Sequence, residues 1–532
     1  MSENKTSSTI NESNSNQSVA NGSVITLKVY EHREIPPKLA VYLPENLNLD
    51  KIIVENPPKD FPPFQKQRNN LSFQKDKLMF ILHLITYLPS VIKDFDYEAN
   101  VGFVPLNKEK LQKSAIHDYR PHLDYLIHCG IIIEDSQYIV GQKSKGVKFT
   151  SEFNFQKIKR RHITRKPIIK AVIENSTQNF IECMEQYHYL GKWWNTQKLE
   201  IDYNTAKTFL KAEQERKVAL FEDKYGKSEA EVFDCRLSLP KREKRDKVKY
   251  PTKQYNAALM LVDKLEKYEY LTKIDKTSGR FHTLLTQLPK ELRQFVTYDG
   301  KELVGVDLVN SQPLLANALL SKSVFESNPI LFHTIAQCKP YLQHLPSAST
   351  AFANLIGKKQ NKADVLKYRE VTSNGLYDEE FGKILQAKNL VPSDVEDVRG
   401  FAKTATFSSF FAKNTNARIS EPMQHFKTTF PNVYDVFSKI KFTPKGTKKT
   451  EKLHNALSVS LQALEAELFL NRICRKINEI NPEIVIFTIH DSVVTTPEYV
   501  EIVQQVIDEE IYNAIGIKPK MGIEHWQGVK GV

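Results

Sequence analysis

Apolar positions along the chain fall into two rhythms. Between residues 74 and 155 they recur at helical spacing in KLMFILHLITYL, thin out through NKEKLQKSA, and return in YRPHLDYLIHCG, which Gly130 closes as a C-terminal cap. They then tighten into GIIIED and QYIVG, which read as two short strands, and GQKSKGVKFT follows as a basic loop. Residues 156–270 read as helical and strongly charged. Their basic clusters KIKRRHITRK (157–166) and KREKRDKVK (241–249) suit either a phosphate-tracking surface or a solvated helix face. Farther on, KELVGVDLVNSQPLLANALL (301–320) predicts a strand, a turn and an amphipathic helix, and IVIFTIHDSVVTT predicts strand, tight turn and strand. Between them, SDVEDVRGFAKTATFSSFFAKN (393–414) predicts a helix opened by Ser393 and Glu396 as a capping box and running to about residue 413.

The flanks obey neither rhythm. Residues 1–25 are Ser-, Asn- and Thr-rich with little to bury, the composition of a disordered tail, and residues 26–73 carry many prolines and are expected to wrap irregularly over a neighbouring domain. At 532 residues the chain is long enough for several domains. Its 75 Lys and Arg against 63 Asp and Glu leave a net charge of +12, which suits a polyanionic partner. Five widely spaced cysteines (Cys129, Cys183, Cys235, Cys338, Cys474) without a C-x-x-C argue against a disulfide framework or a zinc site. No apolar run approaches the roughly 20 residues of a membrane span, and the N-terminus lacks the apolar core of a signal peptide. The expectation is a soluble, reduced, cytoplasmic protein without a membrane partner.

Two acids change the picture. Asp307 stands near the end of the strand in LVGVDLV, and Asp491 at the tip of the IVIFTIHDSVVTT hairpin. A carboxylate on an apolar strand costs several kcal/mol unless it is paired or holds a cation. Two of them on adjacent strands suit two Mg²⁺ ions about 3.5–4 Å apart, the arrangement that activates a hydroxyl and neutralises a leaving pyrophosphate. An Asp at a strand end also serves as an ordinary turn residue. In the intervening helix, Arg399, Lys403, Phe407 and Phe411 lie four apart and share a face that drifts roughly 40° per step. Two cations and two rings there fit a nucleoside triphosphate, and they equally fit an amphipathic helix that buries its aromatics in a core.

The pattern R-x3-K-x3-F-x3-F between two strand aspartates resembles the fingers helix of single-subunit polymerases related to DNA polymerase I (family A) and to the phage-type RNA polymerases. Three further stretches share the resemblance. SGRFHTLLTQLPKELRQFV (278–296) is similar to the T-G-R segment ahead of the first acid, which implies that Arg280 lies along the primer end. NALSVSLQALEAELFLNRI (455–473) is similar to the helix before the hairpin, with Gln462 as its template-side glutamine. GIKPKMGIEHW (516–526) is similar to the last palm strand. His490-Asp491-Ser492 is nearer the RNA enzymes than the H-D-E of the DNA enzymes. LVNSQP after the first acid matches neither group, and Phe411-Ala412 replaces a Tyr-Gly pair. No acidic exonuclease set is recognisable upstream, so proofreading is not expected.

Residues 74–155, in the order helix, helix, helix, two-stranded wing, resemble the winged-helix DNA-binding family. That resemblance implies a third helix in the major groove and Lys143, Lys145 and Lys148 on phosphates. A packing or protein-contact role for the module stays open.

The expected fold is therefore α+β, a right-hand polymerase of palm, fingers and thumb over 271–532, with a thumb-like helical linker at 156–270 and the winged helix in front. The resemblance implies a DNA-directed DNA polymerase using two Mg²⁺ on Asp307 and Asp491. Arg399 and Lys403 would bind the triphosphate of a deoxynucleotide, and Phe407, Phe411 and Gln312 would bound the nucleotide. Arg280, Gln462 and His490 would face a DNA primer-template. A single-subunit RNA polymerase or primase-like enzyme is the runner-up, and a non-enzymatic winged-helix replication initiator the rival from another class.

Overall fold

The structure, a computed structural model, describes residues 36–65, 73–91, 95–106, 108–135, 145–239, 248–345, 347–392, 395–447 and 451–528. Helices and strands are mixed, and most buried apolar side chains gather into two cores. One draws on residues between Val41 and Ile168, the other on residues between Phe180 and Trp526.

The N-terminal core is organised by the strand Leu39–Pro44, which pairs antiparallel with Ile158–Ile163, Leu39 opposite Ile163 and Pro44 opposite Ile158. This corrects two expectations. The Pro-rich segment is not irregular where it is described: it forms that strand and the helices Leu49–Glu55 and Pro62–Gln65. Its prolines fall at strand ends and first helical positions, where a missing N–H breaks no ladder. The cluster KIKRRHITRK is not a helix face but a strand whose ends, Ile158 and Ile163, are buried. The boundary expected at residue 156 therefore lies later, because Ile163 and Ile168 belong to the N-terminal core.

Around this pair lie the helices Lys75–Val91, Lys108–Lys113 and Tyr119–His128, and a three-stranded antiparallel sheet with Gly146–Phe149 between Val104–Pro105 and Ile132–Glu134. The strand expected at QYIVG lies outside the described residues. The described partner of Ile132–Glu134 comes instead from the stretch read as a basic loop, because Val147 and Phe149 alternate inward and give GVKF a buried face.

The C-terminal core surrounds a four-stranded antiparallel sheet in which Val304–Leu308 lies between Ser492–Thr495 and Met521–His525, with Phe487–Ile489 outside Ser492–Thr495. Val304, Val306 and Leu308 point to one face and are fully buried, each such side chain stabilising by about 1.5–3 kcal/mol. The helix Val500–Ile515 covers the sheet. Ala456–Ala466 continues as a π-helix, Glu467–Cys474, whose Leu470 carbonyl accepts the Tyr189 hydroxyl at 2.8 Å. The helical region 156–270 is no detached linker. Its strand Leu199–Ile201 pairs with Val296–Tyr298, and its aromatic side chains, Trp194 against Phe487 among them, enter the C-terminal core. Among the described residues no helix is long and apolar enough to cross a membrane, and all five cysteines are free.

Candidate active site

Strand alternation puts Asp307 on the face opposite Val304, Val306 and Leu308, toward an open cleft. Gly305, two residues earlier on the same face, keeps the floor low: a Cβ there would come 3.3 Å from Ser492 Oγ. Ser492 is the cross-strand partner of Asp307, so the hairpin register brings Asp491 to the same end of the sheet. The hairpin turns in two residues, with Ile489 opposite Ser492. His490 takes the left-handed φ of 55° that such a turn needs at its first position, a conformation histidine tolerates better than β-branched residues do. The Leu308 amide then donates to the Asp491 carbonyl at 3.2 Å, which locks the two acids' strands together.

The acids are held under electrostatic tension. Although Asp307 opens to solvent on one side, loss of hydration first, then the charges of Asp491 and Glu524, push its carboxyl up to about 7. Burial likewise raises Asp491, against the opposing pull of the Ser311 hydroxyl, Arg280 and Lys403. Arg280 and Lys403 are thus within electrostatic reach of Asp491 from two other elements.

Beside them is a residue the sequence reading missed. Glu465, 2% exposed, receives Arg280 Nε at 3.0 Å and Nη2 at 2.8 Å, and Gln312 Nε2 at 2.5 Å. Burial, relieved in part by Arg280 and aggravated by Asp491, pushes it up to about 7. The bidentate pair commits part of the Arg280 guanidinium to the protein, so that residue does not stand free for a ligand as the resemblance implied. Gln312, on the short helix Ser311–Leu315, is likewise tethered by its amide to Glu465. A signal was present: in SLQALEAEL, Glu465 shares its helical face with Leu461 and Leu468, an acid on an apolar stripe.

Packed against Ala456–Ala466 is the helix Val398–Phe411. Ser393 lies outside the described residues, and the observed cap is Asp397, whose Oδ1 accepts the Gly400 amide at 2.8 Å. Ala402, Ala405, Thr406, Ser409 and Phe410 form its buried face, with Phe410 against Phe426 and Phe437. Phe407 and Phe411 are therefore not the core aromatics that the alternative reading required. They stack outside it, centroids 5.4 Å apart and planes 17° apart, with Phe411 36% exposed. Lys403 Nζ stands 5.9 Å from the Phe407 ring, and with Gly400 and Thr404 these side chains line an open groove. Arg399 shares the face but is engaged by Glu379 at 2.9 Å. The neighbouring Asp378 is buried and pushed up by that burial, while Lys403 and Arg399 draw it back.

Of the remaining expected residues, His490 adjoins Asp491 in the hairpin turn. Gln462 is half-buried on the helix Ala456–Ala466, one turn before Glu465. The His490 ring stands edge-on to His282, centroids 6.0 Å apart. Lys143 is outside the described residues. Lys145 pairs with Glu134 at 3.5 Å, and Lys148 donates to the Val101 carbonyl at 3.2 Å over the Phe103 ring, so neither cation stands free on a wing.

Among the described residues no group of three His, Cys, Asp or Glu side chains gathers at metal-binding spacing. Asp307 and Asp491 by themselves still fit a hard divalent cation. Two carboxylates driven toward protonation by burial, Asp307 by the Asp491 charge as well, are relieved by an oxygen-seeking dication.

No protein-family model matches the chain, and no curated protein resembles it in sequence. Among solved structures it is similar to the POL domain of Pol1 from M. smegmatis, in complex with DNA primer-template and dNTP, at 12% identity and a TM-score of 0.39. That similarity covers 68% of this chain and 76% of the other. A likeness of that size assigns neither fold nor activity, and the site stands on its own geometry.

Proposed function

We propose that the chain is a template-dependent nucleotidyltransferase of right-hand architecture that extends a DNA primer with deoxynucleotides, without proofreading. The observation that carries this reading is the meeting of Asp307 and Asp491 at one end of an antiparallel sheet, within electrostatic reach of Lys403 on a helix that carries two solvent-facing stacked rings. Two Mg²⁺ bound at the two aspartates would neutralise the attacking and leaving oxygens of phosphoryl transfer. Lys403 meets the triphosphate as a point charge, with Arg399 behind it once released from Glu379. Phe407 and Phe411 offer an apolar wall to sugar and base. The Arg280–Glu465–Gln312 network holds the floor of the cleft, fixing the Gln312 amide on the side of the incoming sugar. Gln462 and His490 lie on the template and primer side. Catalysis on this reading is positioning and charge stabilisation, with no covalent work for the protein.

A phenyl ring at Phe411 cannot hydrogen-bond a ribose 2′-OH, and burying that hydroxyl unpartnered costs roughly 1–3 kcal/mol, or about one to two orders of magnitude in preference. The test is incorporation of labelled dNTPs and rNTPs, side by side, on a primed DNA template with Mg²⁺. Template-directed incorporation favouring dNTPs is expected. A preference for rNTPs would transfer the site to RNA synthesis, and no incorporation of either with intact DNA binding would leave a non-enzymatic initiator.

A further inference from the structure

Away from the cleft, at the seam between the two cores, is a cavity of about 80 Å³. Its walls come from the helix Lys75–Val91, the loop around Gly102, the strand Gly146–Phe149, the stretch 153–158 and the first turns of the helix Pro251–Glu266. Its lining among the described residues is one-sided in charge: Lys148 and Lys253 contribute two cations, Thr86, Ser90, Asn154 and Asn256 are neutral polar groups, and no Asp or Glu takes part. Lys253 Nζ is caged against the Phe155 ring at 4.7 Å and the Tyr97 ring at 5.2 Å, with a bond to Asn154 Oδ1 at 2.8 Å. That is one acceptor for an ammonium with three donors.

The carboxylate whose charge reaches Lys253 is Glu229, and both its oxygens already accept the Thr252 amide, at 3.0 and 3.1 Å. Lys253 is withdrawn from water, which pushes its ammonium down to about 8 despite Glu229. Water alone would solvate the Lys253 ammonium in this cavity but leave its charge met only in part, by Glu229. The cavity is too small for a base and sugar, whose sites are several times larger, yet roomy for a tetrahedral oxyanion.

We propose that this seam cavity binds a phosphate group, either free phosphate or the terminal monoester of a nucleic-acid strand, with Lys253 as its principal ligand and Lys148 as the second cation. Bound there, the anion fastens the N-terminal core to the helix Pro251–Glu266.

The experiment is thermal unfolding and calorimetric titration of the full chain with sodium phosphate against sodium chloride at matched ionic strength. Wild type, Lys253→Met and the surface control Lys145→Met are compared. Expected are a saturable rise in Tm with phosphate, absent with chloride, and an apparent Kd weakened about tenfold or more in Lys253→Met but unchanged in Lys145→Met. A 5′-phosphorylated oligonucleotide that outcompetes its 5′-hydroxyl twin for the phosphate site assigns the monoester source, and equal competition assigns free phosphate. No phosphate-specific rise in wild type, or an undiminished one in Lys253→Met, overturns the proposal. If Lys253→Met does not fold, Asn154→Ala, which removes the acceptor orienting the ammonium, replaces it with the same criteria.

Discussion

The N-terminal core and the cleft of the C-terminal core treat charge in opposite ways. In the former, nearly every described buried or half-buried charge has found a partner: Lys77 bonds Asp118, Arg120 bonds both Glu134 and Asp124, and Arg236, from the helical region beyond, closes on Glu98 at 2.5 Å. Its buried His83 is held uncharged, Nδ1 accepting the Tyr42 amide at 3.2 Å. In the cleft, the charges of Asp491 and Glu524 raise Asp307 and that of Asp491 raises Glu465, answered by Lys290 and Arg293 at Asp307, by Arg280 at Glu465 and Asp491, and by Lys403 at Asp491. Mutual satisfaction gives stability, whereas charges left partly unanswered are poised for a charged ligand. That contrast can be broken in several places.

The largest effect is expected where the like charges meet. Asp307→Asn and Asp491→Asn should each lower nucleotide incorporation by on the order of 10³-fold while leaving the unfolding midpoint and primer-template affinity near wild type. Activity within a few-fold of wild type in either variant would detach the acids from the chemistry.

The opposite core should fail first in acid. Burial, then the Lys264 charge, hold the native His83 pKa down at about 3, below its unfolded value of 6.5. Below pH 6.5 the unfolded chain binds a proton that the native chain refuses, so stability is lost as pH falls toward 3, by about 3–5 kcal/mol from this group. Hydrogen exchange should show the helix Lys75–Val91 opening before the central sheet, and His83→Gln should flatten that dependence.

Glu465→Gln tests the hinge of the comparison, because Glu465 accepts three hydrogen bonds from Arg280 and Gln312. Removing its charge leaves Arg280 buried without an anion, and about 3 kcal/mol of stability should go with it, read as a lower urea midpoint at constant slope. An unchanged midpoint would mean that Arg280 turns to solvent or to nucleic acid instead.

Smaller effects separate the two cations of the groove helix. Lys403→Ala should cut kcat/KM for nucleotide about 10–100-fold at unchanged template affinity, whereas Arg399→Ala, whose charge already meets Glu379, should stay within about fivefold. Smallest of all is Lys145→Ala, which should alter DNA affinity by less than about twofold, since Glu134 already occupies that ammonium. A large loss there would restore the wing to nucleic-acid contact.

How legible this was in the sequence depended on how local each cause is. Asp307 and Asp491 stood out because β-branched alternation fixes strands over a few residues and both acids interrupt it. The face shared by Arg399, Lys403, Phe407 and Phe411 was legible from helical spacing, but its orientation was not, because only tertiary packing reveals that Phe410 takes the core position. Glu465 escaped because its partners, Arg280 and Gln312, are 185 and 153 residues away. The strand Leu39–Pro44 was hidden by flanking prolines, and KIKRRHI by its charges, since strand pairing across such a distance leaves no local periodicity to read. Lys145 and Lys148 looked free for the same reason: Glu134 and Val101 answer them only after folding.

The pairing of Leu39–Pro44 with Ile158–Ile163 also dictates an order of events at the ribosome. The first strand emerges with Val41 and Leu43 exposed and must wait for a partner more than a hundred residues behind it, a delay on the order of ten seconds at roughly 5–20 residues per second. Throughout that interval the nascent chain displays an unpaired apolar edge. Truncation anywhere before residue 163 should therefore yield a species that chaperones retain rather than a small folded domain.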